Sequence, residues 1–149
     1  MSEYAENIIK ILAGLPEFLR KPMLKSRLEE FFNMNRDEQI EIINNAINAI
    51  TEIEFNILSK LIKTWLEVLN SFEPKRREEI FALYATMLSN KPDIISKLDI
   101  DGLINIYNSL DDEMKKNTLT AIRNAIDKVE NRDILLEHIP EKAKILLSL

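Results

Sequence analysis

The stretch MLKSRLEEFF, Met23 to Phe32, returns 38 residues later as LIKTWLEVLN, Leu61 to Asn70. Lys, Leu and Glu keep their places, while Met/Leu, Leu/Ile, Ser/Thr and Phe/Leu are exchanged for close relatives. The same offset runs along much of the chain. Ala5, Ile43, Phe81 and Leu119 fall in one column, Ile8, Ala46, Tyr84 and Ile122 in a second, and Leu12, Ile50, Leu88 and Ile126 in a third. Four shorter columns continue the pattern: Leu24, Ile62 and Ile100; Leu28, Leu66 and Ile104; Phe31, Leu69 and Tyr107; Met34, Phe72 and Leu110. Every member is apolar, and steps of three and four within a copy put them on one face of a helix.

An apolar face that returns at a constant period of this size is what a stacked helical array produces, because each copy hides its stripe against its neighbours. The expected fold is therefore all-α, a right-handed α-solenoid-like array of about four 38-residue units. Their approximate bounds are 1–33, 34–71, 72–109 and 110–149, within a single domain, 1–149. The competing reading is an irregular multi-helix bundle. Register weakens after Val129, where the column of Leu66 and Ile104 asks for an apolar residue and the chain supplies Lys142.

Composition agrees with helices. The chain has 149 residues, 46% hydrophobic and 30% charged, far from the regime of disorder. With Gly 2 and Pro 5 there is little to build hairpins from. Cys 0 excludes disulfides, thiolate metal sites and a cysteine nucleophile. Glu3 and Glu6 precede the first apolar run, where a secretory signal carries positive charge, and no apolar stretch approaches a membrane span, so a cytoplasmic location is expected. The net charge of −5 is spread along the chain, which sets nucleic-acid binding at a disadvantage.

Punctuation divides the chain in the same way. Asn35 with Glu38, Thr51 with Glu54, and Ser109 with Asp112 read as helix starts, each pairing a capping side chain with a carboxylate in the first turn. Pro74 suits a first helical turn, where its missing N–H costs nothing. LPEFLRKP from Leu15, IEFNILSK from Ile53, KPDIISKL from Lys91 and NRDILLEHIP from Asn131 read as short helices linking the long and last helix of each unit, with the short and last helices free to fuse in the second unit.

A long, a short and a medium helix at this period resembles the armadillo and HEAT families of α-solenoids. The likeness is one of architecture, since the Pro, Asp and Arg positions that mark a HEAT helix pair are not reproduced. It implies a curved surface offered to a protein or nucleic-acid partner.

No catalytic set assembles from the residues. His138 is the one histidine and there is no cysteine, so a zinc site, a di-iron site and a histidine-assisted nucleophile all lack parts. DIDG from Asp99 puts Gly102 fourth where a calcium loop needs it sixth, and Asp99 or Asp101 is better read as a helix cap. Neighbouring acids such as Glu29 and Glu30 point about 100° apart on a helix and read as solvated surface. Two glycines cannot build a phosphate loop. The expectation is a protein without enzymatic activity and without metal or cofactor.

The candidate partner surface is Arg20, Lys21, Lys25, Arg27, Lys63 and Trp65. No acid falls between Phe18 and Leu28, and Lys25 and Lys63 hold equivalent places in successive units. Trp65 sits at the margin of its helix's apolar stripe, a position open to either core or hot-spot use. A protein partner is expected, with nucleic-acid binding on the basic strip as the alternative and no membrane association. The chain ends in AKILLSL, whose Ile145, Leu146 and Leu149 either pack back on the previous unit or join two copies.

Overall fold

The structure is a computed structural model that describes the backbone of residues 2–149 and the side chains of residues 4–149. Among the described residues there are helices and turns and no strand. The chain divides into two compact units, Met1–Ser71 and Phe72–Leu149. The division falls where the second 38-residue copy was expected to end.

The first compact unit holds α1 (Ser2–Gly14), α2 (Glu17–Phe32), α3 (Arg36–Ile50) and α4 (Phe55–Leu69). Helix α1 packs on α3 and α4, and α2 packs on α4. The inner face of α2 carries Leu24, Leu28 and Phe31, spaced by four and three. Phe31 and Phe32 meet edge to face, their ring centres 5.5 Å apart. At the α2–α3 turn, Asn35 accepts the Glu38 N–H at 2.9 Å. Gln39 Nε2 reaches back to the Phe31 carbonyl at 2.9 Å, filling one of the acceptors that the end of α2 leaves open.

The second compact unit holds α5 (Pro74–Asn90), a 3-10 segment (Pro92–Lys97), α6 (Ile100–Asn108), α7 (Asp112–Asp127), α8 (Arg132–His138) and α9 (Glu141–Leu147). Helix α5 packs on α7 and α8, the 3-10 segment on α8, and α9 on α7. Their shared core is Ala85, Ile95, Ile126, Val129 and Leu135, with Leu88, Ile122 and Leu147 against it. Lys91 precedes Pro92 and is forced out of the helical region, to φ −134° and ψ 63°, which is why α5 stops there.

Helix starts recur at the interval seen in the sequence: Arg36, Pro74 and Asp112 open α3, α5 and α7, and Glu17 and Phe55 open α2 and α4. None of the residues in the seven apolar columns is exposed; each is buried or half-buried. The long-range polar contacts run differently. Arg20 meets Thr64 at a separation of 44, Glu78 meets Asn124 and Lys128 at 46 and 50, and Asp101 meets Lys142 at 41. All exceed 38, so within each compact unit these contacts join one copy to a later part of the next rather than to its level counterpart.

Several local expectations are corrected. LPEFLRKP is not a separate short helix: α2 runs unbroken through Pro22 to Phe32. Pro22 lacks the N–H that would bond the Phe18 carbonyl, a loss tolerated near a helix start whose outer side faces water. Fusion does occur in the second copy, as α4, while KPDIISKL and NRDILLEHIP remain separate from the helices that follow. Thr51 and Ser109 do not start helices. Each closes the one before, Thr51 Oγ1 donating to the Asn48 carbonyl at 2.8 Å and Ser109 Oγ to the Ile106 carbonyl at 2.6 Å. The cap of α7 is Asp111, which accepts the Met114 N–H at 2.8 Å. Asp99 caps α6, accepting the Gly102 N–H at 2.8 Å.

Candidate functional site

The basic strip is brought to α2 and α4, which pack together, and the structure sorts its members. Arg20 does not belong to an outward surface. Its side chain is 7% exposed, with Nε donating to Thr64 Oγ1 at 2.9 Å and Nη1 to the Leu15 carbonyl. A buried guanidinium needs acceptors for its donors, and here a hydroxyl on the neighbouring helix and the turn before α2 supply them. Arg77 repeats the arrangement at the start of α5: it is buried, and its Nη1 donates to the Phe72 carbonyl, also five residues back.

Lys21 is exposed but engaged, with Glu17 at 3.7 Å along its own helix and Glu67 of α4 at 4.0 Å. Lys25 and Arg27 are exposed and Lys63 is half-buried, and none of the three has an ion-pair partner among the described residues. Trp65 is half-buried, at the edge of the stripe made by Leu61, Leu66 and Leu69.

What the sequence strip omitted is the apolar side chains that share its helix. Phe18 is 75% exposed, Met23 42% and Leu19 41%. They project from α2 on the side away from Leu24, Leu28 and Phe31, at about 100° per residue. The signal was available: once the 38-residue columns define the buried side of this helix, Phe18, Leu19 and Met23 are left on the other.

The remaining candidates are plain. His138 is exposed at the end of α8, its Nδ1 2.9 Å from the Ile134 carbonyl. Lys142, at the column position where an apolar residue was expected, faces outward and pairs with Asp101 of α6. At the C-terminus the apolar residues part company: Leu147 packs into the core, Leu146 is half-buried, Leu149 is exposed, and Ile145 is 71% exposed. Among the described residues no group of three or more His, Asp or Glu side chains could hold a metal ion. Among the described residues no helix is long and apolar enough to cross a membrane.

Glu78 carries the clearest electrostatic arrangement. Asn124 Nδ2 donates to its Oε1 at 2.6 Å and Lys128 Nζ to its Oε2 at 3.4 Å, joining α5 to α7. The Asn124 hydrogen bond, more than the Lys128 charge, holds its carboxyl below the usual value. Burial pushes the Tyr84 hydroxyl the other way, up to about 12. Both shifts follow from how the helices pack, one through the Asn124 hydrogen bond and the other through burial. No protein-family model, curated protein or solved structure matches the chain.

Proposed function

We propose that the chain is a non-enzymatic, cytoplasmic helical-repeat module of the α-solenoid kind, and that it holds a protein partner on the surface built by α2 and α4. The observation that carries this reading is the exposure of Phe18, Leu19 and Met23 on one side of α2. Large apolar side chains exposed close together on the outer half of a helix are costly to leave in water and mark contact surfaces. Lys25 and Arg27 stand on the same helix and Lys63 and Trp65 on the neighbouring one. The recurrent helix starts and the covered apolar columns support the repeat, and solenoids present extended surfaces of this kind.

Capture from cell extract tests it. The wild-type chain should retain specific proteins that a Phe18→Ser/Met23→Ser variant of equal helicity loses. Recovery of the same proteins by both, or of nothing specific by the wild type, argues against the reading. The nucleic-acid alternative fares worse, because with Arg20 turned inward and Lys21 paired the strip keeps only Lys25, Arg27 and Lys63 uncommitted. A gel-shift series should show no complex whose affinity falls steeply with salt.

A further inference from the structure

We infer that the outer side of α1 pairs with the same side of α1 in a second copy of this chain, antiparallel, with Tyr4 of each copy lying over Ile11 of the other. The inference uses a different helix from the partner reading above and does not depend on it.

The 38-residue register says what covers this side elsewhere in the chain. Tyr4, Asn7 and Ile11 stand at steps of three and four on one face of α1, and all are exposed, Tyr4 at 67% and Ile11 at 63%. Three copies on, the same positions are Thr118, Ala121 and Ala125 of α7, none more than 3% exposed. Helix α7 packs chiefly on α5, the first helix of the copy before it, and Asn124 and Lys128 beside that face reach Glu78 of α5. In α3, which packs on α1, the change is half made: Ile42 is still open, whereas Ala49 is sealed. The face therefore takes the first helix of a neighbouring copy, and on α1 it stands open to solvent.

The last copy offers no apolar counterpart on its own first helix. The outer side of α7 carries Lys116, Thr120, Arg123 and Asp127, all exposed and polar, the finish that a terminal repeat needs to stay soluble. The apolar outer side of α1 is left with another of its kind. Tyr4, Asn7, Ile8 and Ile11 are spaced three, one and three, a pattern that reads the same in both directions about its centre, as an isologous two-fold contact requires.

Charge fixes the direction. Glu6 and Lys10 flank the patch and pair with each other at 2.9 Å within α1. Antiparallel helices bring Lys10 near Glu6 of the second copy and oppose the two helix dipoles, whereas parallel ones set like charges side by side. Helix α1 has 13 residues, a span of about 20 Å, so the contact is small and the dimer weak.

Sedimentation of the full-length chain from about 10 µM to about 1 mM, the range in which a small interface dissociates, tests this. Wild type should pass from monomer to dimer. Tyr4→Ser/Ile11→Ser should raise the dissociation constant at least about tenfold, since each copy withdraws two apolar side chains from the contact. Both residues are exposed in the single chain, so its helicity and denaturant midpoint at low concentration should stay in place. The absence of cysteine allows a second readout. Asn7→Cys, at the centre of the contact, should give a symmetric disulfide-linked dimer under mild oxidant, and Thr120→Cys on α7 should not. A wild type that stays monomeric throughout overturns the inference. A dimer that Tyr4→Ser/Ile11→Ser leaves intact, or that Ile145→Ala abolishes, also overturns it, since association then runs through another surface. Equal crosslinking of the two cysteine variants does the same.

Discussion

Arg20 Nε lies 2.9 Å from Thr64 Oγ1, joining two residues 44 apart in sequence and fastening α2 to α4. Thr64 is 1% exposed, so water cannot replace it as an acceptor. Thr64→Val keeps the shape and removes the hydroxyl, leaving a buried cationic donor short of a partner. The expected loss is about 1–3 kcal/mol, or a fall in Tm of about 2–12 °C for a chain of this length. Adding Arg20→Met should recover part of it, because both ends of the contact are then apolar. A double-mutant cycle from chemical denaturation checks this, and strict additivity of the two losses would contradict the coupling.

Asp111 and Ser109 are predicted to differ sharply although only two residues apart. Asp111→Ala removes the side-chain acceptor at the start of α7 and should cost about 1 kcal/mol. Ser109→Ala removes only a hydroxyl that closes the end of α6 on a carbonyl already bonded within reach of solvent, and should cost a few tenths at most. Equal losses in denaturant midpoints would restore Ser109 as the cap.

Glu78 gives the acid limb of stability a named contributor. Its carboxyl sits below its ordinary value of 4.5 in the fold, chiefly because Asn124 donates to the ionised form. A depressed carboxylate contributes stability above its unfolded pKa and loses it as pH falls through the folded one. Glu78→Gln should therefore be less stable than wild type at pH 7, and the gap should narrow below about pH 4.5. Parallel stability curves from pH 7 down to pH 3 would remove Glu78 from the account.

Tyr84 acts at the opposite limb. Its hydroxyl is held neutral up to about 12 by burial, above the ordinary value of 10.0. A raised folded pKa stabilises the fold below the unfolded value and is lost as pH climbs from 10 towards 12, where ionising Tyr84 and unfolding become linked. Absorbance titration of tyrosinate should show a late step that Tyr84→Phe deletes. If the step that Tyr84→Phe deletes is instead an ordinary one near 10, the buried hydroxyl is contradicted.

Leu147 and Ile145 separate the two fates of the C-terminal helix. Leu147 packs against the core of Ile126 and Val129, and Leu147→Ala should cost about 2 kcal/mol, the low end for a part-buried leucine. Ile145 projects outward, and Ile145→Ala should leave monomer stability within about 0.5 kcal/mol. Sedimentation of wild type and Ile145→Ala reads the dimer expectation directly: a dimer lost on substitution supports it, and a monomer in both ends it.

Much of this molecule was legible because its signal is periodic. The columns through Leu12, Leu28 and Phe31 predicted burial, and the positions named are covered. Asn35 and Pro74 predicted helix starts and make them, and of Asp99 and Asp101 it is Asp99 that caps α6, because such start signals act within four residues and need no tertiary partner. Thr51 and Ser109 misled for the same local reason, since a hydroxyl beside a helix junction can serve either the helix that ends or the one that begins. Arg20 was illegible, because its exposure depends on Thr64 lying across the packing face. The exposed face of α2 was written in the sequence by subtraction, as the side of the helix that the columns leave out.

The most direct measurement of the central claim uses the absence of cysteine. A single Cys placed at Met23, and separately at the exposed Thr120 of α7, carries a photo-crosslinker on the otherwise native chain in cell extract. The account predicts a discrete crosslinked protein from position 23, competed by unlabelled wild type but not by Phe18→Ser, and none from position 120. Crosslinking that is equal at the two positions, or that Phe18→Ser competes as well as wild type does, would contradict a partner surface on α2.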